Sequence, residues 1–371
     1  MVNFNVLNWN IGGAKVLEQK TRKKRDETRA GINDALHFIL TDRNLGTPRP
    51  DVITLQEVVQ YQEPSDSSPV DLIDQSLFAD YRYYPLMLFD SNLLSSKAKW
   101  NKILKGSDWH DHTYFAQGNG FMIHNDIRHF PVWDLSKLSQ SPLLTKHFIE
   151  LVHLESGLYF GDRNTEPRAA LVAHFIINPD ERGIGRKPLD IFVVNLHLTT
   201  LTTEREGVPE IDVLASKIRL SQLNVVFDGI VSRYNSWRAG GYRERGERRD
   251  PEARETFTRH SPVWIIAGDF NFTEESAEYE FIRRMNFIDT VPEAKTEYSW
   301  GHGVKAKGTK ASGEGKPPVL TLDYIFAGPQ FVSLDPAIVG EFTQNKVIRH
   351  PRTRSSDHYP LVSSIRLIPQ Q

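Results

Sequence analysis

Six short apolar runs bounded by polar side chains constrain this chain more than any other feature. They span Phe4 to Asn10, Val52 to Glu57, Ile191 to His197, Val263 to Asn271, Leu322 to Phe326 and Leu361 to Leu367. Runs of this length, rich in Val, Ile and Phe, read as strands buried on both faces. Such a sheet keeps an apolar interior and offers its polar side chains only at strand ends, where they can share one mouth. The chain can supply that interior: 39% of its 371 residues are apolar, including 20 Phe, 12 Tyr and 7 Trp.

Helical periodicity falls between the runs. Ile32, Ala35, Leu36, Ile39 and Leu40 share one face. A second candidate helix extends from Val213 to Val231, and a third runs from Glu274 to Met285 with Thr273 placed to cap it. The strands cluster towards both ends of the chain with helices between them, which predicts an α+β or layered α/β fold rather than a simple parallel sheet. Nothing divides the chain convincingly, so residues 1–371 are expected to form a single domain. Polar, turn-rich stretches at about 58–118 and 235–262 read as insertions, and the Gly- and Lys-rich segment 301–318 reads as a loop.

Composition narrows the chemistry. The absence of cysteine excludes disulfides, thiolate nucleophiles and thiolate zinc sites. No stretch has the roughly 18 apolar residues of a membrane span. The N-terminus shows no secretory signal, so a cytoplasmic location is expected, although a secreted chain with its signal removed would read the same.

Taken singly, the candidate polar residues have ordinary explanations. Glu57 in LQEV could be a hydrogen-bonded structural carboxylate, and His197 in NLHLTT a satisfied core histidine. Asp269 and Asn271 in GDFN could form a turn, Asp323 in TLDYIF could cap a strand, and Asp357 and His358 in SSDHYP could be solvated. Together they point elsewhere. Buried carboxylates are costly, so several converging on one mouth need shared positive charge. With four carboxylates and no thiol, a hard divalent cation suits them, and Mg2+ takes a few carboxylates plus water and substrate phosphate oxygens. His110 and His112 in WHDH suggest zinc only weakly, because no third ligand lies nearby.

In order along the chain, LNWNIGG, LQEV, GNGFMIH, EPRAALVAHF, NLHLTT, GDFN, TLDYIF and SSDHYPL resemble the endonuclease/exonuclease/phosphatase superfamily that includes deoxyribonuclease I. The resemblance implies an α/β (α+β) four-layer sandwich, with two packed, mostly antiparallel β-sheets flanked by helices. It implies that Asn10, Glu57 and Asp357 hold Mg2+, with Mn2+ as a possible substitute. Asp269 would activate the attacking water and Asn271 would bind phosphate. His358 would contact the scissile phosphate, oriented by Asp357, while Asp323 and His197 would complete the site. Two departures separate the chain from the abasic-site endonucleases: Gly12 stands where an Asp is usual and Val59 where a Lys is usual. Thr321 replaces the basic residue that commonly precedes LDY.

The substrate is expected to be nucleic acid or another phosphodiester. Net charge is only −2, but three basic clusters adjoin the motifs. One runs from Lys15 to Arg29, one from His302 to Lys316, and the third contains Lys346, Arg349, Arg352 and Arg354. Cations at such places could neutralise several phosphates, and Trp300 is among the aromatic residues that could stack on a base. A nuclease is therefore expected. The alternative is a sphingomyelinase or phosphoinositide phosphatase of the same superfamily, for which apolar residues near Leu86 to Leu94 could meet lipid.

Overall fold

The computed structural model describes residues 2–17, 19, 21–63, 65–90, 114–127, 129–130, 149–155, 157–159, 162–177, 189–200, 209–232, 262–291, 320–328, 338–348, 350–353 and 355–368. Most of these residues fall into two seven-stranded sheets. The first contains β1 (Val2–Asn10), β2 (Val52–Gln62), β3 (Val70–Asp71), β4 (Tyr81–Asp90), β5 (Tyr114–His124), β15 (Ile338–Val347) and β16 (Leu361–Ile368). Its order is β15, β16, β1, β2, β5, β4, with β3 beside β2. The second contains β6 (His129–Phe130), β7 (Ile149–His153), β10 (Ala169–Ile177), β11 (Leu189–His197), β12 (Val263–Asp269), β13 (Ile288–Asp289) and β14 (Asp323–Gly328). Its order is β13, β14, β12, β11, β10, β6, and β7 also pairs with β10. A separate hairpin joins β8 (Gly157–Tyr159) to β9 (Asp162–Glu166).

Each sheet is built around one parallel pair, β1 with β2 and β11 with β12, and its other pairings are antiparallel. Alternation along the strands divides the core into three layers. Phe4, Val6, Val52, Phe121, Ile191, Val193, Val263, Ile265 and Ile325 pack between the sheets. Leu7, Trp9, Ile53 and Leu55 face α2 (Arg22–Thr41), which follows the short α1 (Ala14–Leu17). Phe192, Val194, Trp264 and Phe326 face α3 (Pro209–Asn224), its π-helical continuation Val225–Ser232, and α4 (Ala277–Arg284). The result is the expected four-layer α/β sandwich.

Several local expectations change. The stretch 58–118 is not a simple insertion: β2 continues through it to Gln62, and it contributes β3, β4 and the start of β5 to the first sheet. Pro85 obscures β4 as a strand, yet proline is tolerated there because β4 lies at the sheet edge. Leu86 and Met87 pack partly buried against the inner and outer cores, and residues 91–94 of that segment lie outside the described residues. Ser276 rather than Thr273 caps the third expected helix: its Oγ accepts from Tyr279 N at 3.1 Å, while Thr273 O closes the preceding turn. Residues 235–261 and 301–318, with His110, His112, Trp300, Arg349 and Arg354, lie outside the described residues.

Candidate active site

The inward positions of neighbouring strands change from apolar to polar at the same height. On β1 the series Phe4, Val6 gives way to Asn8 and Asn10; on β11, Ile191 and Val193 give way to Asn195 and His197. On β12, Ala267 is followed by Asp269, and β14 opens on Asp323. Strand register sets His197 beside Asp269 and Asp269 beside Asp323. This convergence is what the apolar runs foretell.

Asp269 is the hub. Its Oδ2 accepts from Asn10 Nδ2 at 2.9 Å and lies 3.5 Å from His197 Nε2 and 3.7 Å from His358 Nε2. Its Oδ1 accepts from Asn271 N at 3.0 Å, closing the turn in which Asn271 takes a left-handed φ of 54°. Asn271 Nδ2 donates to Leu198 O at 3.0 Å, tying that turn to the end of β11.

Glu57 does not end a strand. It sits where the pairing of β2 with β5 shifts register between Leu55 and Val58, and its φ is 55°. A left-handed non-glycine residue within a bulge is strained and re-aims its side chain. The half-buried Glu57 carboxyl accepts from Asn10 Nδ2 at 3.2 Å. Burial first and Asp357 second push its pKa up, only partly offset by His358, Asn10 and Lys15. Asn10 thus clamps Glu57 to Asp269, while its own Oδ1 accepts from Gly12 N at 3.0 Å.

His358 departs from expectation. Its Nδ1 is 2.8 Å from Asp323 Oδ2, so Asp323 orients the ring, not the adjacent Asp357. Asp357 Oδ1 instead meets Lys15 Nζ at 2.8 Å. Burial pulls the pKa of His358 down, but Asp323, Asp269 and Asp357 outweigh it and hold the value well above the ordinary range for histidine. Burial raises the Asp357 carboxyl, but His358 and Lys15 reverse the shift and leave it below its usual value. Ser356 locks the loop: its Oγ donates to Asn10 O at 2.8 Å and accepts from His358 N at 3.1 Å.

A metal could use either of two donor sets. Among the described residues, Asp269, Asp323 and His358 present donor atoms within 4.8 Å of one another. Two of those three already join in the Asp323–His358 hydrogen bond. Glu57 and Asp357 repel each other's charge across the mouth, which a cation between them would relieve.

The basic clusters are less available than their sequence suggests. Arg25 is buried against Glu63 at 2.8 Å, Arg22 meets Asp66 at 3.0 Å, and Arg29 Nε donates to Asp71 O. Lys346 Nζ donates to Leu45 O, and Arg352 lies over the Phe38 ring at 5.0 Å. Both therefore pack against the C-terminal part of α2 and the turn after it, an engagement that runs against their expected substrate role. Lys15, by contrast, reaches the site.

Sequence reasoning missed the polar layer beneath the mouth. Asn8 Nδ2 donates to Gly268 O at 3.1 Å, and Gln56 Nε2 donates to Asn8 Oδ1 at 2.9 Å and Asn195 Oδ1 at 2.7 Å. Buried Arg168 donates to His197 O at 3.4 Å. The signal was available for two of these residues: Asn8 and Asn195 stand two positions before Asn10 and His197, hence on the same strand face.

The Endonuclease/Exonuclease/phosphatase family model matches residues 7–358. Among solved structures, an endonuclease/exonuclease/phosphatase from Bacteroides vulgatus is 13% identical, with a TM-score of 0.50 over 99% of this chain and 100% of that chain. TDP2 of D. rerio, complexed with single strand DNA product, is 15% identical over 99% of this chain and 100% of that one, with a TM-score of 0.47. The human Nocturnin catalytic domain with bound sulfate anion is 14% identical over 99% and 95%, also at 0.47. No curated protein matches the chain. The family match runs from within β1 to His358 and takes in every residue of the polar mouth, and the chain belongs to the endonuclease/exonuclease/phosphatase family.

Proposed function

We propose that the chain is a Mg2+-dependent phosphodiesterase, with nucleic acid or a nucleotide as substrate. Family members hydrolyse phosphoester bonds and are generally divalent-metal dependent. The observation that carries the reading is the His358 imidazole, held charged by Asp323 and Asp269 beside the Glu57 and Asp357 carboxylates. One half of the mouth thus concentrates negative charge suited to a hard cation, and the other keeps a proton-bearing group for a phosphate.

Glu57 and Asp357 would hold the ion, with Asn10 fixing the direction of Glu57. When bound, a divalent cation supplies Lewis-acid charge to phosphoryl oxygens. Asp269 orients and deprotonates the attacking water, because its Oδ2 lies at the centre of the polar groups. Asn271 uses one amide hydrogen on Leu198 O and offers the other to phosphate. His358 faces developing negative charge with a proton already in place, the kind of preorganised stabilisation that dominates such reactions. His197 borders Asp269 and completes the wall.

Two observations bear on the substrate class. Leu86 and Met87 are partly buried against the cores rather than fully exposed, and residues 91–94 of the segment that could meet lipid lie outside the described residues. Lys15 contributes to the mouth a cation suited to an anionic phosphate substrate.

The test is a substrate panel of single-stranded DNA, duplex DNA, RNA, sphingomyelin and phosphoinositides with Mg2+, run beside His358→Ala. Nucleic-acid cleavage is expected, with kcat reduced about 100-fold or more in the variant. Cleavage of lipid alone would sink the nuclease reading, and full activity after removal of divalent ions would sink the metal assignment.

A further inference from the structure

Asn119 is a buried polar residue to which neither the motifs nor the proposed chemistry gives a task. It is 1% exposed, and among the described residues its Nδ2 has no hydrogen-bond partner. A buried amide donor left unsatisfied costs about 1–3 kcal/mol, so orphans of this kind are rare in a folded chain and call for a reason.

Its position supplies one. Asn119 lies on β5 two residues before Phe121, whose side chain packs between the sheets, and strand alternation gives both the same face. It therefore joins the inward polar layer with Asn10, Asn195 and His197. On the neighbouring strand, Leu55 pairs with Gly120 and Val58 with Gly118. The β2 bulge carrying Gln56 and Glu57 thus lies directly opposite Asn119.

The flanking glycines hold it there. A Cβ at Gly118 would stand 1.9 Å from Leu86 O, and one at Gly120 would stand 3.2 Å from Tyr84 O. At Gly118 only a residue without a side chain lets β4 approach so closely, and at Gly120 a side chain would make a tight contact with β4. Gly120 O also accepts from Asn195 Nδ2 at 2.8 Å, which ties this part of β5 to the second sheet. The backbone that carries the amide is held by these approaches, yet Nδ2 is used by none of the described residues around it.

We propose that Asn119 donates this hydrogen bond to a non-bridging oxygen of the substrate phosphate, on the Glu57 side of the site. The inference rests on the phosphodiesterase reading. A neutral donor suits this place, because it can approach a phosphate without competing for the ion that the neighbouring carboxylates attract.

The test compares wild type with Asn119→Ala and Asn119→Asp, measuring kcat, KM, inhibition by inorganic phosphate, and thermal stability. Loss of the donor should lower kcat/KM of Asn119→Ala about 100-fold, in line with removal of one preorganised donor to a phosphoryl or acyl oxygen. Inhibition by phosphate should weaken in parallel. The melting temperature should stay unchanged or rise, because no bond within the protein is lost. Asn119→Asp, which sets a carboxylate against phosphate, should be worse than alanine in both activity and phosphate inhibition. Wild-type kinetics in Asn119→Ala would overturn the inference and assign the amide to a buried water. A melting temperature lowered by several degrees would overturn it in favour of a structural role. If wild type hydrolyses no phosphate ester, the phosphodiesterase reading itself fails, and the inference with it.

Discussion

His358 owes its charge to residues that the chain delivers from far away. Burial alone would favour the neutral ring, whereas Asp323, Asp269 and Asp357 together raise its pKa well above the ordinary value near 6.5. A group raised in this way stays protonated through neutral pH, and the stability it contributes is lost as pH climbs through the folded-state value. Asp323→Asn removes the nearest of these charges and leaves burial in place, so the alkaline limb of kcat/KM should move to lower pH by about 1–3 units. The acid limb should move much less. A profile with both limbs unmoved would show that His358 does not act as the imidazolium. The partner itself was hard to read from sequence. Asp357 is adjacent to His358, but neighbouring side chains diverge, and Asp357 turns to Lys15. Asp323 stands 35 residues away, and it reaches the ring because β14 and the last loop arrive at one mouth.

Elements explain why some of the site was legible and some was not. An apolar run ending in a polar residue identifies β1, β11 and β12 almost to their last residues, because burial on both faces leaves a continuous hydrophobic signature. The same logic misplaces Glu57 at a strand end. The sign of continuation was Val58 and Val59, which both pack in the outer core although strict alternation would oppose them. A bulge supplies the extra residue and turns Glu57 into the mouth. The turn after β1 supports that bulge: a Cβ at Gly13 would lie 1.9 Å from Glu57 O. Gly13→Ala should therefore displace the bulge backbone, lowering stability by about 1–3 kcal/mol and weakening Mn2+ binding measured by electron paramagnetic resonance. Gly31→Ala is the control, since its added Cβ would meet only Ser355 Cβ at 3.7 Å within α2. There, alanine should be neutral or stabilise by up to about 1 kcal/mol. Equal effects of the two substitutions would contradict a bulge held by close backbone approach.

At the scale of the molecule, the candidate site belongs to neither sheet alone. Asn10, Glu57, Asp357 and His358 come from the first sheet and its loops, whereas His197, Asp269, Asn271 and Asp323 come from the second. Activity therefore depends on the two sheets keeping their relative height, and hydrophobic packing between them is non-directional and specifies height only loosely. Directional bonds supply what packing lacks. Asn195 of β11 accepts from Gln56 Nε2 at 2.7 Å and donates to Leu55 O at 3.1 Å and Gly120 O at 2.8 Å, all in the opposite sheet. Strand alternation places Asn195 on the face of His197, but its role in this seam is not legible from motifs, because the seam's residues are ordinary amides within apolar runs and their value lies in partners 75 to 140 positions away. Asn195→Ala removes three buried hydrogen bonds, so urea unfolding should show a loss of about 2–4 kcal/mol. The stronger expectation concerns the protein that still folds. Because Asn195 stands one layer below the reacting groups, its loss should lower kcat while leaving KM nearly unchanged, as expected when alignment suffers more than binding. A destabilised variant with wild-type kcat would mean that packing alone keeps the two halves of the mouth in register.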